Sequence, residues 1–481
     1  MRVGIKSSVS ALTAALILAG CSLAPTYERP VAPVAPVFDH QDPAQVAQEL
    51  ASLDSLGWRE FFTDPYLEDL IELSLLNNRD VHLAVARIDE ARAQLGISRS
   101  DQLPSFGASG AGQVTRNPSD LRAGGPDAPS ISRVFSAGVG VTAFELDFFG
   151  RLRNLSEAAY EQFLATEQAQ RTVRINVVAQ VAEAYFQWRS AQEMQKLMRS
   201  TLESRERSYK LVSTLFEVGT ASALDLNQAR LQLDTIKADL QQAQRAEMQA
   251  YNAMTLMVGT PIPDDLSTPA VFGKSQIVAD IPVGLSSSLL ERRPDIMAAE
   301  HQLKAAYANI GAARAAYFPA ISITGLLGVA SPSLSSLFDS GRTYWQYSPQ
   351  VSVPIFSGQV RGNLEVAEAR QKMAISNYEK AIQTAFKEVA DALAGKATYG
   401  EQLNALRAME KSAAESLRLA NLRYETGIDS FLQVQTAEIN LYTAQQAFVQ
   451  TGMESLLNRV MLYKALGGGW QLDAETEEQN D

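Results

Sequence analysis

Cys21 is the one thiol in a chain of 481 residues. A lone thiol can act as a nucleophile, contribute to a metal site or carry a lipid, and its neighbours decide among these. The three histidines, His40, His82 and His301, are too scattered for metal-ligand spacing and read as surface residues. No serine or cysteine stands in a nucleophile elbow. The run GASGAG from Gly107 lies in a strand-like stretch with no helix opening after it, so it is not a dinucleotide fingerprint. Asp264 and Asp265 fall in a proline-rich linker and read as a solvated turn; Gly467 to Gly469 end a helix. There is no phosphate loop. The expectation is a protein that is not an enzyme, binds no metal and has no cofactor beyond a covalent lipid on Cys21.

The lipid reading comes from the residues before Cys21. Arg2 and Lys6 give a short positive start, and VSALTAALILAG is an apolar run too short to span a membrane as a helix. LAGC matches the end of bacterial lipoprotein signals, whose cysteine takes a diacylglycerol before cleavage and acylation of the new amino terminus. A plain signal peptide with an incidental cysteine is the alternative. Ser22, in place of the aspartate typical of inner-membrane retention, favours the outer membrane. With one cysteine no disulfide forms within the chain, so packing alone must hold the fold. The stretch APTYERPVAPVAPVF reads as an extended, coreless tether.

The net charge is −12 with 46% hydrophobic residues, which disfavours a nucleic-acid partner. After the signal no run of 18 apolar residues occurs, so any membrane crossing must use a closed barrel.

The elements around these residues repeat. Glu217, Gly219, Ser222 and Leu224 match Glu425, Gly427, Ser430 and Leu432 at a shift of 208 positions. Asp80, Ala84, Gly96, Arg99 and Pro104 match Asp295, Ala299, Gly311, Arg314 and Pro319 at a shift of 215. The division that follows is a signal peptide over 1–20, a lipidated tether over 21–62, a first repeat over 63–258, a linker over 259–286, a second repeat over 287–467 and a tail over 468–481. Each repeat begins with an Ala-rich helix, 64–100 and 287–316. Two strands follow, at about 104–115 and 134–147, then about 319–330 and 343–356. Long helices come next at about 150–218 and 358–426, and return helices at 222–258 and 429–466. At 1.5 Å per residue the first long helix is a rod of roughly 100 Å. Gly395 and Gly400 mark a candidate bend in the second. The apolar residues of VVAQVAEAYFQW spread over two faces, which suits a helix with a neighbour on each side or an ordinary bundle core.

The strands alternate. Phe135, Ala137, Val139, Val141 and Ala143 face opposite to Ser136, Gly138, Gly140 and Thr142; Trp345, Tyr347, Val351 and Val353 face opposite to Gln346, Ser348 and Gln350. An apolar face against a small or polar face over about ten residues is the pattern of membrane barrels, with Trp345 and Tyr347 suited to an interfacial belt. Two soluble hairpins are the alternative. Four strands close no useful membrane barrel, since the smallest have about eight, so lipid-facing strands imply an oligomer.

TYERP, AFELDFFGRLR, RRPDI, SVPIFSGQVR, RYETGIDSFLQV and LYKALGGGW, in this order on the duplicated unit, resemble the TolC-type outer-membrane efflux channels, and the LAGC motif resembles their lipoprotein branch. The resemblance spans Cys21 to about Trp470. It implies a homotrimer, mainly α with membrane β, in which a twelve-stranded barrel continues into a twelve-helix barrel. It implies a passive, gated exit duct for antibiotics, solvents and other toxic compounds. A periplasmic adaptor, an inner-membrane transporter of the resistance-nodulation-division class and outer-membrane lipid would be the partners. The periplasmic gate would involve Asp225, Tyr424, Asp429 and Gln433, with Tyr424 hydrogen-bonded to Asp225. Gln433 stands where some relatives have an acidic ring. The helix-turn tips Gly219, Thr220, Gly427 and Ile428 would dock the adaptor. Residues alone leave open a channel for metals or protein secretion, a lipid-anchored adaptor or scaffold, and, least supported, an anchored hydrolase.

Labelled palmitate is expected to enter the wild-type chain and not Cys21→Ser, and the mature protein should begin at Cys21.

Overall fold

The computed structural model describes residues 22–35, 57–118, 129–269 and 293–468, with scattered positions of the 119–128 loop. Cys21, His40, the signal, most of the linker and the tail beyond 468 lie outside the described residues. In chain order the elements are α1 (Trp58–Phe61), α2 (Pro65–Asn77), α3 (Arg79–Ser100), β1 (Phe106–Arg116), β2 (Ile131–Leu146), α4 (Arg151–Glu217) and α5 (Ala223–Val258). Then come α6 (Pro294–Ala315), β3 (Ala320–Ser331), β4 (Thr343–Ser352), α7 (Gly358–Glu425) and α8 (Phe431–Ala465). Among the described residues no helix is long and apolar enough to cross a membrane.

Two details of the helices differ from the sequence reading. The helix expected over 64–100 is two, because Asn78 adopts an extended conformation between α2 and α3. Its side chain accepts a hydrogen bond from the Asp80 amide at 2.8 Å and donates to the Met257 carbonyl at 2.7 Å, so it caps α3 and ties it to α5. In contrast, α7 runs unbroken through Gly395 and Gly400. Gly395 is a close approach: a Cβ there would lie 2.2 Å from Oδ1 of Asn458, whose Nδ2 donates to the Ala392 carbonyl at 2.9 Å.

The chain forms two compact units, and each draws on both sequence repeats. One comprises 1–31, 87–167 and 298–379; the other comprises 32–86, 168–297 and 380–481. The second holds the main core. Val177, Val178, Val181, Tyr185, Phe186 and Trp188 are all buried there, which answers the apolar residues on two faces of this stretch. Phe61 stacks on Tyr463 with centroids 4.5 Å apart. Asp64, fully buried, accepts from the Tyr66 amide at 3.1 Å and from the Tyr185 hydroxyl, which in turn accepts from Arg189 at 2.9 Å. A buried carboxylate needs such partners. Burial and Asp64 together raise the Tyr185 pKa well above that of an ordinary phenol. The Arg of RRPDI that lies among the described residues, Arg293, binds Asp295 at 2.8 Å, Glu388 at 2.9 Å and the Ala465 carbonyl at 2.8 Å, clasping α6, α7 and α8.

The first unit holds the sheet, ordered β1-β2-β3-β4 and antiparallel throughout. The β2–β3 pairing joins the hairpin of one repeat to that of the other. Register places Ala108, Val139, Leu327 and Trp345 in one row and Phe106, Val141, Gly325 and Tyr347 in the next row on the same face. The four apolar half-faces thus form one face, and its large side chains are exposed: Phe106 80%, Leu327 57%, Trp345 73%. The opposite face carries small and polar groups with Leu326 among them, including a chain from Tyr344 through Gln346 to Ser348. One position is corrected. A bulge after Val141 brings Phe144 opposite Ile323, so Phe144, not Ala143, continues the apolar face; Ala143 takes φ 53° at the bulge. A Cβ on Gly140 would lie 2.1 Å from the Gly325 carbonyl oxygen, so glycine is required at that crossing.

Residues 22–35, the described part of the expected tether over 21–62, are extended, and residues 22–29 are docked on α4 and α6. Ser22 donates to Asn154 of α4 at 2.8 Å. Tyr27 and Arg29 both bind Glu300 of α6, with Arg29 Nη2 at 2.9 Å, and the Tyr27 ring meets Tyr307 edge-on at 5.5 Å. Ala24 lies over Gly311, where an added Cβ would come within 2.8 Å of it. His301, expected at the surface, is half-buried with Nδ1 at 2.6 Å from Glu161.

Leu327→Arg places a charge mid-strand on the apolar face, and should cost about 2–4 kcal/mol if that face meets lipid. Gln346→Arg lies on the opposite face and should insert normally. The amount of each variant recovered folded in the outer-membrane fraction checks the difference.

Candidate functional site at the helix turns

Each long helix turns back on a glycine in the left-handed conformation, Gly219 with φ 80° and Gly427 with φ 74°. Each turn closes with the same bond pair. Thr220 and Gly219 amides donate to the Leu215 and Phe216 carbonyls at 2.9 and 3.0 Å. Ile428 and Gly427 amides donate to the Arg423 and Tyr424 carbonyls, both at 2.9 Å. The paired bonds satisfy helix-end carbonyls that would otherwise lack partners. The repeat is thus kept at the level of individual hydrogen bonds.

Beyond the glycines the two turns diverge. After the first, Ser222 and Asp225 form a reciprocal capping box: the Asp225 amide donates to Ser222 Oγ at 3.1 Å, and Asp225 Oδ2 accepts from the Ser222 amide at 3.1 Å. The carboxylate is therefore turned to its own helix. Tyr424 feels its charge, and burial followed by Asp225 raises the phenol pKa, but no hydrogen bond joins the pair in this chain. Tyr424 instead packs on Phe431 at 5.5 Å, in an apolar cluster with Val212, Ala229 and Val434 that fastens one turn to the other.

After the second turn, Asp429 is bound by Arg423 through two contacts, 2.5 Å from Nε and 3.1 Å from Nη2. The guanidinium hydrogen bond holds the Asp429 carboxyl below the usual carboxylate range. The sequence analysis places Asp429 in the gate and names no partner for it. The signal available was an arginine six residues earlier, across a turn that folds the chain back on itself. Gln433 is exposed on the first turn of α8, beside Leu432.

One buried acid near the turns has no signal in the sequence analysis. Glu438, one residue past Ala437 on α8, is 7% exposed and accepts from Ser208 of α4 at 2.7 Å. Burial raises its pKa, against the Ser208 hydrogen bond and the Arg205 charge. Arg205 itself donates to the Gln232 carbonyl at 2.9 Å and lies 5.6 Å from the Tyr442 ring. Among the described residues no group of His, Cys, Asp and Glu has the geometry to hold a metal.

An open antiparallel sheet with one exposed apolar face, together with two long helical hairpins, is the arrangement of a membrane channel protein that crosses lipid with strands. The comparisons give the family. A family model described as outer membrane efflux protein matches residues 70–260 and 285–468, and the chain belongs to that family. It is 45% identical to the toluene efflux pump outer membrane protein TtgC of Pseudomonas putida, over 97% of this chain and 96% of that one. It is 41% identical to the outer membrane protein OprJ of Pseudomonas aeruginosa, over 96% of each. Among solved structures it resembles the open-state MtrE outer membrane channel of Neisseria gonorrhoeae, with TM-score 0.81 and 36% identity over 94% of this chain and 99% of that one. The protein is an efflux component of the outer membrane.

Because the Glu438 pKa is raised in the fold, the native state is favoured by the protonated acid. That stability is fully present below the ordinary carboxylate pKa and is lost as pH rises through the raised value. Glu438→Gln, which fixes the neutral form, should therefore melt higher than wild type at about pH 8, with the gap narrowing towards about pH 5. Thermal unfolding at the two pH values checks the sign.

Proposed function

We propose that this chain is the exit duct of a tripartite efflux assembly, a passive channel without enzymatic activity that carries antibiotics, solvents and similar toxic compounds out of the cell. The observation behind it is the single apolar face built by all four strands, in a chain whose relatives are efflux-pump outer membrane proteins. Three copies would supply twelve strands and a ring of helices. A periplasmic adaptor docking on the turns at Gly219, Thr220, Gly427 and Ile428, and an inner-membrane transporter, would supply energy and cargo. Asp225, Tyr424, Asp429 and Gln433 lie on those turns and would form the gate. In this reading the resting mouth is held by the Tyr424–Phe431 packing and the Arg423–Asp429 pair, with Asp225 acting on Tyr424 through charge. A lipid on Cys21 would add a second attachment to the outer membrane.

The test is a deletion strain challenged with dyes, solvents, antibiotics and metals. Wild-type protein should restore tolerance to the organic compounds. Tyr424→Phe with Asp225→Ala should restore it too, while admitting vancomycin through a leaking mouth. Restored tolerance confined to metals would favour the metal-efflux reading, and no vancomycin entry would place the closure elsewhere than these two residues.

A further inference from the structure

The apolar face of the sheet is uncharged except at one end. Two arginines extend it there, Arg116 at the end of β1 and Arg133 near the start of β2, and both are exposed. The pairing register puts them on the side of Val114, Phe135 and Val139, and no other strand position on that side carries a charge.

The two arginines are neighbours. Arg116 lies opposite Ile131 and Arg133 opposite Val114, which makes them diagonal across one antiparallel pair, about 7–8 Å apart. Like charges so placed repel, and among the described residues neither side chain has a hydrogen-bond or ion-pair partner. Arg122 in the loop beyond them differs, since its Nε donates to the Asn117 carbonyl at 3.3 Å. The strand ends are held in place, because the Asn117 amide donates to the Ser130 carbonyl at 2.9 Å and closes the ladder. Beside the pair is an apolar shelf. Val114 and Ile131 are exposed, and the Phe135 ring lies across Gly112, where a Cβ would come within 3.0 Å of it.

Helices α3, α4, α6 and α7 adjoin one end of the strands and the hairpin loops adjoin the other. In the channel reading the helix end is periplasmic, so the arginines belong at the outer leaflet. The 11 residues of β1 from Phe106 to Arg116, at about 3.4 Å each and a tilt of about 35–45°, climb roughly 25 Å, the height of a barrel's lipid-facing band. The guanidinium groups therefore stand at headgroup level and not in hydrocarbon.

We propose that Arg116 and Arg133 bind the phosphate of an outer-leaflet glycolipid, lipid A, with its sugar against Val114 and Ile131 and its acyl chains running down over Phe135. Guanidinium forks suit phosphate because each donates two parallel hydrogen bonds. An anion between the two arginines also cancels their repulsion.

The site rests on the outer-membrane channel reading, and two measurements separate them. Full-length protein, stripped of lipid in neutral detergent, is titrated with lipid A, with dephosphorylated lipid A and with phosphatidylglycerol, and bound lipid is counted by native mass spectrometry. Wild type should prefer phosphorylated lipid A at least tenfold over either other lipid. Arg116→Gln with Arg133→Gln should lose that preference, and Arg116→Lys with Arg133→Lys, which keeps the charge without the fork, should fall between. Equal binding of both forms of lipid A by wild type, or full binding by the glutamine variant, would mean that the arginines only face water at the rim, and the site would be overturned. Phosphatidylglycerol bound as tightly as lipid A would overturn the assignment to that lipid. If the glutamine pair does not fold, Arg133→Gln alone should lose binding severalfold, and no loss would count against the site. The glutamine variant should still restore tolerance in the deletion strain, since the arginines lie on the face away from the duct. A wild type that keeps its lipid preference and restores no tolerance would overturn the channel reading alone.

Discussion

A backbone amide or carbonyl in the hydrocarbon of a bilayer must have a hydrogen-bond partner, because water is not there to provide one. The first unit violates this as it stands. Its sheet has an apolar face fit for lipid, yet among the described residues β1 and β4 pair with a strand on one side only. On the proposed trimeric reading, insertion would be a property of several chains together, since four strands alone do not close a membrane barrel.

The glycines show where the backbone comes too close for any side chain. At Gly140 and Gly328 it is the neighbouring strand, at Gly311 the amino-terminal strap, and at Gly395 the amide of Asn458. At Gly219 and Gly427 the demand is conformational and nothing crowds them. These two uses of one residue type separate the positions that fix the fold from those that end a helix.

Much of this was readable from residues alone. Alternation gave the strand faces because a period of two survives without knowledge of the partner strand, and the pairing register then aligned all four. The glycine turns were legible because each recurs at the same place in the two repeats. What the sequence hid was whatever depends on a partner from elsewhere. Asn78 breaks a helix by reaching Met257, the bulge at Ala143 is set against Thr324, and Asp429 is neutralised by an arginine on the other side of its turn. Nothing in the residues around Glu438 marks it as buried; the fold brings Ser208 and Arg205 against it. The compact units likewise take segments from both repeats, so the repeat boundaries do not give the structural ones.

The docked strap sets a length scale at the membrane surface. Ser22 is fixed to Asn154 near the start of α4, and Arg29 is fixed to Glu300. An acyl group carried by Cys21 would hang from a point one residue, roughly 3.5 Å, from a pinned position. Such an anchor has almost no slack. It would act as a depth gauge, holding the base of the lipid-crossing sheet level with the headgroups, where a loose tether would only keep the protein from drifting away.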